Sequence, residues 1–310
     1  MREMQKILVT GANSFTASHL IPFLASQGYE IQGLTRSAKG NHPSPKLKTT
    51  LGFVHPHFIG DLSDTEFTEK LLYKPDVIVH LAANNGSTDL GISKIFRDNV
   101  DAVANLISFS KRVGCSKIIA LSSVSVHGQI STSTLSEKTG FENPDIYGYT
   151  KREAELLLQQ SESGQSIFIL RLPSILGYGA KNHWLSAVLA SALSNSPITF
   201  QNSNTKFNNA VYIDDLLAFI SLLISRNDQG IFSFPLASTR PITVGKIVEL
   251  LVKTVGSVSK LDSDEVERPS FIIDDLFARE KFGYTSRTTA LAVEAFALDT
   301  FLKIRSSNSI

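Results

Sequence analysis

Lys6-Ile7-Leu8-Val9-Thr10-Gly11-Ala12-Asn13-Ser14-Phe15-Thr16-Ala17, residues 6–17, is the stretch whose reading decides the fold. Ile7-Leu8-Val9 is a continuous apolar run, the pattern of a parallel strand covered on both faces. The turn from Thr10 to Ala17 follows, then Ser18 to Gln27 reads as a helix that Gly28 stops. Strand, tight turn and helix in that order are the context a dinucleotide-binding fingerprint requires. Gly11 holds the first glycine position, while Ser14 and Ala17 stand at the second and third. Small residues there still allow close helix–strand packing and near approach of a phosphate. The helix N-terminus adds unpaired N–H groups and a positive dipole for a pyrophosphate. An ordinary strand-to-helix turn is the other reading of this stretch.

The chain downstream repeats the pattern. Glu30 to Thr35, Phe53 to Ile59, Val77 to Leu81, Lys117 to Leu121 and Ser166 to Leu170 read as further strands. Between them, a helix to Leu72 is expected to start at a Ser63/Glu66 capping box, and a long helix runs from Lys94 to Val113. Repeated strand–helix alternation means a doubly wound parallel sheet of the α/β class, whose ligands lie at the C-terminal ends of the strands. Gly11, Arg36, Asp61, Ala82 and Ser123 all fall at such ends. A carboxylate closing the second strand would bind the ribose 2′-hydroxyl of NAD. Thr35 and Arg36 stand there instead, which suits the 2′-phosphate of NADP and favours NADP(H) over NAD(H). A solvated basic loop, continuing through Lys39, Lys46 and Lys48, is the plainer alternative.

Beyond Pro173 the pattern is less regular. Helices are expected at Trp184–Ser194, Asp215–Ile224 with Asp214 as cap, Val244–Val255, Asp274–Phe282 and Leu291–Lys303, with a frayed tail from Ser306. The expected division is a Rossmann-type dinucleotide domain over residues 1–171 and a smaller substrate lobe over 172–310, with some exchange of chain between them. The 310 residues are 42% hydrophobic, enough for a sizeable core. A net charge of +1 gives no general pull toward nucleic acid or membrane. The single cysteine, Cys115, excludes an intramolecular disulfide and a cysteine zinc cage, and no metal site is expected. The apolar run Leu216 to Ile224 is too short to span a bilayer, and a strand begins at Lys6 with no signal peptide before it. A cytoplasmic protein is expected.

The chemistry is carried by Tyr147-Gly148-Tyr149-Thr150-Lys151. At i and i+4 on a helix, Tyr147 and Lys151 point the same way. A nearby ammonium favours the phenolate and draws the Tyr pKa toward working range, so the pair can exchange a proton with a substrate oxygen. Alone, the spacing reads more readily as a surface helix start, and it is the rest of the chain that overturns that reading. Ser123, at the end of a parallel strand, supplies a hydroxyl for the same oxygen; its alternative is a strand-end serine that satisfies local backbone.

In order along residues 6–286 the motifs resemble the extended short-chain dehydrogenases/reductases, the NAD(P)-dependent epimerase/dehydratase family. Thr10-Gly11-x-x-Ser14-x-x-Ala17 is similar to its T-G-x-x-G-x-x-G turn, and His80-Leu81-Ala82-Ala83 to its H-x-A-A strand end. Asp61-Leu62, Asn99, Ser122-Ser123-Val124-Ser125-Val126-His127-Gly128, the Tyr147/Lys151 pair, Val211-Tyr212-Ile213-Asp214-Asp215 and Arg268-Pro269 resemble its later motifs, with His127 replacing a tyrosine. The resemblance implies an NAD(P)-dependent nucleotide-sugar epimerase or keto-sugar reductase. Tyr147 is then the general acid/base, Lys151 its partner and a contact of the nicotinamide ribose, and Ser123 the anchor of the substrate oxygen. Cofactor contacts are expected from Gly11, Asn13, Ser14, Phe15, Thr16, Arg36, Asp61, Leu62, Leu81, Ala82, Ala83, Asn99, Lys151 and Pro173. Substrate contacts are expected from Asn84, Ser123, Asn182, Asn208 and Arg268, with His183 and Trp184 as further candidates.

Two departures narrow the resemblance. Asn208 stands where many members place an arginine on the substrate pyrophosphate, a loss that Lys206 or Arg268 could offset. Val124-Ser125 follow Ser123 where dehydratases carry an Asp-Glu pair, which disfavours dehydration. The expected partner is a small-molecule nucleotide-sugar, with no nucleic acid and no membrane, and a homodimer is allowed. A non-catalytic NAD(P)-sensing protein on the same fold is the competing reading; an intact Ser/Tyr/Lys set argues against it, because a sensor has no use for an activated phenol.

Overall fold

A computed structural model describes residues 4–37, 53–86, 91–161, 164–181, 183–266 and 270–307. The chain forms two compact units. The first comprises Met1–Gln129, Gly140–Arg171 and Leu217–Phe234, and the second Ile130–Thr139, Leu172–Leu216 and Pro235–Ile310.

The first unit is built on an eight-stranded sheet. Its strands are β1 (Lys6–Thr10), β2 (Glu30–Thr35), β3 (Phe53–Val54), β4 (Phe58–Ile59), β5 (Val77–His80), β6 (Lys117–Ser123), β7 (Ser166–Leu172) and β8 (Ile231–Pro235). The order across the sheet is β8-β7-β6-β5-β1-β2-β3, with β4 also beside β2. β1 has a parallel neighbour on each side, Val9 lying opposite Gly33 of β2 and Val79 of β5. Ile7, Leu8 and Val9 are fully buried, so the unbroken apolar run is the signature of a strand covered on both faces. β5 and β6 are parallel as well, which brings the C-terminal ends of β1, β2, β5 and β6 to one edge. Gly11, Arg36, Leu81–Ala83 and Ser123 lie at those ends.

Helix α1 (Phe15–Ser26) begins three residues before the expected Ser18, because Ser14 caps it: Ser14 Oγ accepts from the Ala17 N–H at 3.2 Å. The strand expected over 53–59 is interrupted. Pro56 has no N–H for a ladder, so β3 and β4 pair separately with β2, and the Pro56 carbonyl accepts from Gln32 Nε2 at 2.7 Å. Helix α2 (Thr65–Lys70) is capped by Asp64, not by Ser63; Asp64 Oδ1 accepts from the N–H groups of Glu66 and Phe67, while the Ser63 hydroxyl donates to Asp61. The long helix expected from Lys94 to Val113 is α3 (Ile92–Phe96), a π-helical stretch at Arg97–Asp101, and α4 (Ala102–Val113). The wide turn holds Asp98 and Asn99, both buried. A π turn within a helix is frequently found at a functional site. Helix α5 (Ile146–Gln159) is capped by Asp145, whose Oδ1 accepts from the Gly148 N–H at 2.7 Å, so Tyr147 and Lys151 both lie inside it.

The second unit has no large sheet among its described residues. Thr134–Leu135 pairs with Ile272–Ile273, Ser174–Leu176 with Ala210–Tyr212, and Ile198–Gln201 with Leu261–Asp264, all parallel. Lys206–Phe207 pairs antiparallel with Ile242–Thr243. The helices are α6 (Trp184–Leu193), α7 (Ile213–Ser225, which continues into the first unit), α8 (Val244–Thr254), α9 (Leu276–Phe282) and α10 (Thr289–Ser307). Asp214 does not cap α7 as expected but sits in its first turn, where Arg287 holds it at 3.2 Å and also bonds Asp215. No helix among the described residues is long and apolar enough to cross a membrane.

Candidate active site

A cleft of about 330 Å³ opens at the C-terminal edge of the sheet. Of the residues expected at a cofactor, Gly11, Asn13, Ser14, Arg36, Asp61, Leu62, Leu81, Ala82 and Ala83 line it, and so do Asn84 and Asp98. Gly11 is required by geometry: its φ is +67°, and an added Cβ would lie 2.8 Å from the Ala82 backbone nitrogen. A dinucleotide fits this cleft. The α1 N-terminus meets it at Ser14, no acidic side chain stands in the first helical turn to repel a pyrophosphate, and Leu62, Leu81, Ala82 and Ala83 give small or apolar walls beside the polar Arg36, Asp61, Asn84 and Asp98. Asn13 Nδ2 donates to Thr35 Oγ1 at 2.8 Å and to the Ser37 carbonyl at 2.7 Å, tying the α1 turn to the end of β2.

Beside the cleft, Ser123 ends β6 and caps a 3₁₀ turn, its Oγ accepting from the Ser125 N–H at 3.1 Å. The Ser123 hydroxyl donates to Ser125 Oγ at 3.0 Å, and Tyr147 lies near enough for the Ser123 side chain to favour its phenolate. What lets α5 come so close is Gly148, where any Cβ would collide with the Ser125 carbonyl oxygen. Lys151 follows one turn later, buried, with Nζ donating to the Leu121 carbonyl at 2.6 Å. The electrostatics correct a simple expectation. Burial and the Asp145 carboxylate push the Tyr147 pKa above its usual value, and the nearby Ser123 side chain opposes them only in part. Burial brings Lys151 down to about 8, although Glu155 favours its charged form. The protein alone therefore holds Tyr147 as a neutral phenol, and Lys151 is not among the groups that shift it.

Sequence reasoning missed what supports this trio. Glu155, buried on the Lys151 face of α5, accepts from Ser122 Oγ at 2.5 Å and pairs with Arg171 at 2.8 Å. A gap of about 10 Å³ is lined by His80, Ser122, Lys151 and Glu155, so the four side chains face one another. The signal was available: Glu155 is four residues past Lys151, the same spacing that joins Tyr147 to Lys151. His127, expected as a packing or polar contact, is fully buried and stacks on Phe141. Its Nδ1 lies 2.9 Å from the Gly140 carbonyl, which only accepts, so the proton sits on Nδ1 and Nε2 accepts from Arg171 at 3.4 Å. His80 bonds Thr10 Oγ1 at 2.8 Å, and burial brings its pKa down to about 3.

Several expected contacts have other tasks in the structure. Asn99 is enclosed. Its amide donates to the Asn84 carbonyl at 2.8 Å and Thr150 Oγ1 at 2.9 Å, and its Oδ1 accepts from the Asn84 N–H at 2.7 Å. It binds the strand-end loop to the catalytic helix. Asn208, expected at the substrate, is instead buried and spent on backbone: Nδ2 donates to the Ile273 and Ser238 carbonyls and Oδ1 accepts from the Ile273 N–H at 2.8 Å. Phe15 packs against His19, Thr16 is buried in α1, and Pro173 lies in the second unit between β7 and the strand at 174–176. His183 caps α6, and Trp184 packs edge-on against Phe207. Asn182 and Arg268 lie outside the described residues. Among the described residues no cluster of His, Cys, Asp or Glu is placed to hold a metal ion.

The family model described as "NAD dependent epimerase/dehydratase family" matches residues 7–233. A dTDP-4-dehydro-6-deoxy-D-allose reductase of Streptomyces sp is 24% identical over 292 residues, 86% of this chain and 87% of that protein. A UDP-glucose 4-epimerase of Neisseria meningitidis serogroup C is 28% identical over 184 residues, 56% of this chain and 54% of that protein. A solved structure described as MoeE5 in complex with UDP-glucuronic acid and NAD superposes with a TM-score of 0.80 at 22% identity, covering 97% of this chain and 99% of that one.

Proposed function

We propose, from the premise that this chain belongs to the NAD dependent epimerase/dehydratase family, that it is a nicotinamide-dependent oxidoreductase or epimerase acting on a nucleotide-sugar. The observation that carries the reading is Tyr147 set near Ser123 at the end of β6 with buried Lys151 one helical turn on, at the sheet edge whose cleft is lined by the expected cofactor residues. The relatives' printed activities, a reductase and an epimerase of nucleotide-linked sugars, support the substrate class.

The bound dinucleotide would supply hydride exchange at a sugar carbon. Ser123 donates to the substrate oxygen and fixes its position. Tyr147 gives that oxygen a proton in reduction and takes one in oxidation. Lys151, charged below about pH 8, stabilises the phenolate left after donation. Within the cofactor site, Gly11 to Ser14 would hold the pyrophosphate, and Leu62, Ala82 and Ala83 would flank the adenine. Arg36 supports a preference for NADP(H), as a cation at the β2 end that suits a 2′-phosphate. The near-neutral charge and the short apolar runs support a cytoplasmic location.

A screen of keto-sugar nucleotides with NADPH and NADH tests the activity, and Tyr147→Phe tests its assignment. That change keeps the ring and removes the exchangeable proton. Turnover should fall by about 10²–10⁴-fold, with folding and cofactor affinity unchanged. Near-normal turnover in Tyr147→Phe would move the acid/base elsewhere.

A further inference from the structure

At the mouth of the cleft Arg36 is not a free cation. Its Nη1 donates to Asp98 Oδ2 at 2.6 Å, and both residues line the cavity. Asp98 comes from the π turn, an element distant in sequence from β2. The side chain of Asp98 is 4% exposed and that of Arg36 53% exposed, so the carboxylate is fixed while the guanidinium reaches to it from solvent. Three donors fix that carboxylate: Arg36, Lys94 Nζ at 2.9 and 3.0 Å to the two oxygens, and Asn84 Nδ2 at 2.9 Å. Those bonds keep Asp98 ionised, with its pKa below the ordinary carboxylate value despite burial. Asp61, the other carboxylate lining the cleft, is turned onto its own loop, where its Oδ1 accepts from the Ser63 N–H and hydroxyl.

We propose that Asp98 is a specificity-determining residue for the cofactor. Paired with Arg36 across the cleft mouth, it limits how strongly this site favours a 2′-phosphorylated dinucleotide. The inference rests on the dinucleotide reading above. A 2′-phosphate brings about two negative charges to the arginine at neutral pH. It must share the guanidinium that Asp98 already holds, and it must sit in the field of the carboxylate. The unphosphorylated ribose suffers neither cost. Cofactor choice is then set by a pair joining two elements, one at the end of β2 and one on the π turn, rather than by Arg36 alone. Lys94 moderates the effect, because it takes part of the Asp98 charge.

The test is cofactor affinity, not turnover. Purified full-length protein is titrated with NADPH and with NADH, following the fluorescence of the reduced nicotinamide. Wild type, Asp98→Asn, Arg36→Ala and the double variant are compared. Asp98→Asn, which keeps the size of the side chain, should tighten NADPH by roughly three- to fivefold, the upper part of the range for a half-exposed charge pair, and leave NADH within about 1.5-fold. Arg36→Ala should weaken NADPH selectively, and in that background the gain from Asp98→Asn should shrink. Lys94→Met gives an independent readout if Asp98→Asn folds poorly: with the second cation gone, NADPH should weaken and NADH should not. An equal change in both cofactors, or no change in NADPH for Asp98→Asn or Lys94→Met, overturns the inference. Failure of wild type to bind either dinucleotide would instead sink the dinucleotide reading itself.

Discussion

Two charged clusters of the first unit use the same ingredients to opposite ends. At the cleft, Arg36 and Lys94 share Asp98; beneath α5, Arg171 pairs with Glu155, which also favours the charged form of Lys151. The mouth is open on one side, with the Arg36 side chain 53% exposed, whereas Glu155 and Arg171 are 1% and 3% exposed. Water screens the first cluster, so it adds little stability and can be retuned for a ligand. The second is cut off from water, so each charge depends on the others to offset its desolvation. A charge pair open to water can be altered without unfolding the protein, whereas a buried one holds its neighbours in fixed positions.

The sharpest way to break this contrast is to remove one charge from each cluster and measure unfolding by urea. Glu155→Gln leaves Arg171 without its counter-ion and should cost about 3–5 kcal/mol, the usual result of splitting a buried pair. Arg36→Gln, at the rim, should change stability by less than about 1 kcal/mol. Equal losses at the two sites would mean that burial does not separate them.

A second effect concerns pH. His80, which faces the buried cluster, has its folded-state pKa depressed to about 3 from an ordinary value of 6.5. Between those values the unfolded chain takes up a proton that the folded one refuses. Stability must therefore fall as pH drops from about 6.5 toward 3, by up to about 1.4 kcal/mol per pH unit from this group. His80→Asn should flatten that part of the stability–pH curve, whatever it does to the level at pH 7. Parallel curves for wild type and variant would show that His80 does not resist protonation. The smallest effect should come from Tyr149→Phe. Tyr149 is exposed on another face of α5, so turnover should stay within about twofold. A heavy loss there would place the proton chemistry on the wrong tyrosine.

What the sequence disclosed follows from range. The β1 strand, the Gly11 turn and the Tyr147/Lys151 pair are local patterns, written in spacings of one to four residues. The strand ends were legible for the same reason, because a parallel sheet gathers them at one edge once the alternation is recognised. The π turn was not legible, since nothing in Arg97–Asp101 departs from ordinary helical composition. Asn99 and Asn208 defeated pattern reading in a different way. Both are buried amides bonded to backbone far away in sequence, Asn84 for one and Ile273 for the other. A residue type alone does not tell an amide held for a ligand from one that satisfies a loop. The pairing of Ser174–Leu176 with Ala210–Tyr212 was likewise hidden, because three-residue strands leave no period to detect.

The first unit also incorporates Leu217–Phe234, a segment that follows β7 by more than forty residues. Those residues supply β8 at the sheet edge and three carbonyls, of Leu223, Ile224 and Arg226, that accept from the buried Lys117 ammonium at 2.5 to 2.8 Å. A nascent chain released only as far as Arg171 would present β7 as an unpaired apolar edge and leave Lys117 without its acceptors. Such contacts of long sequence separation are slow to form, and an uncovered edge invites association with other chains. On the ribosome, the first unit cannot complete itself until Phe234 has been made, long after β7 has left the synthesis site.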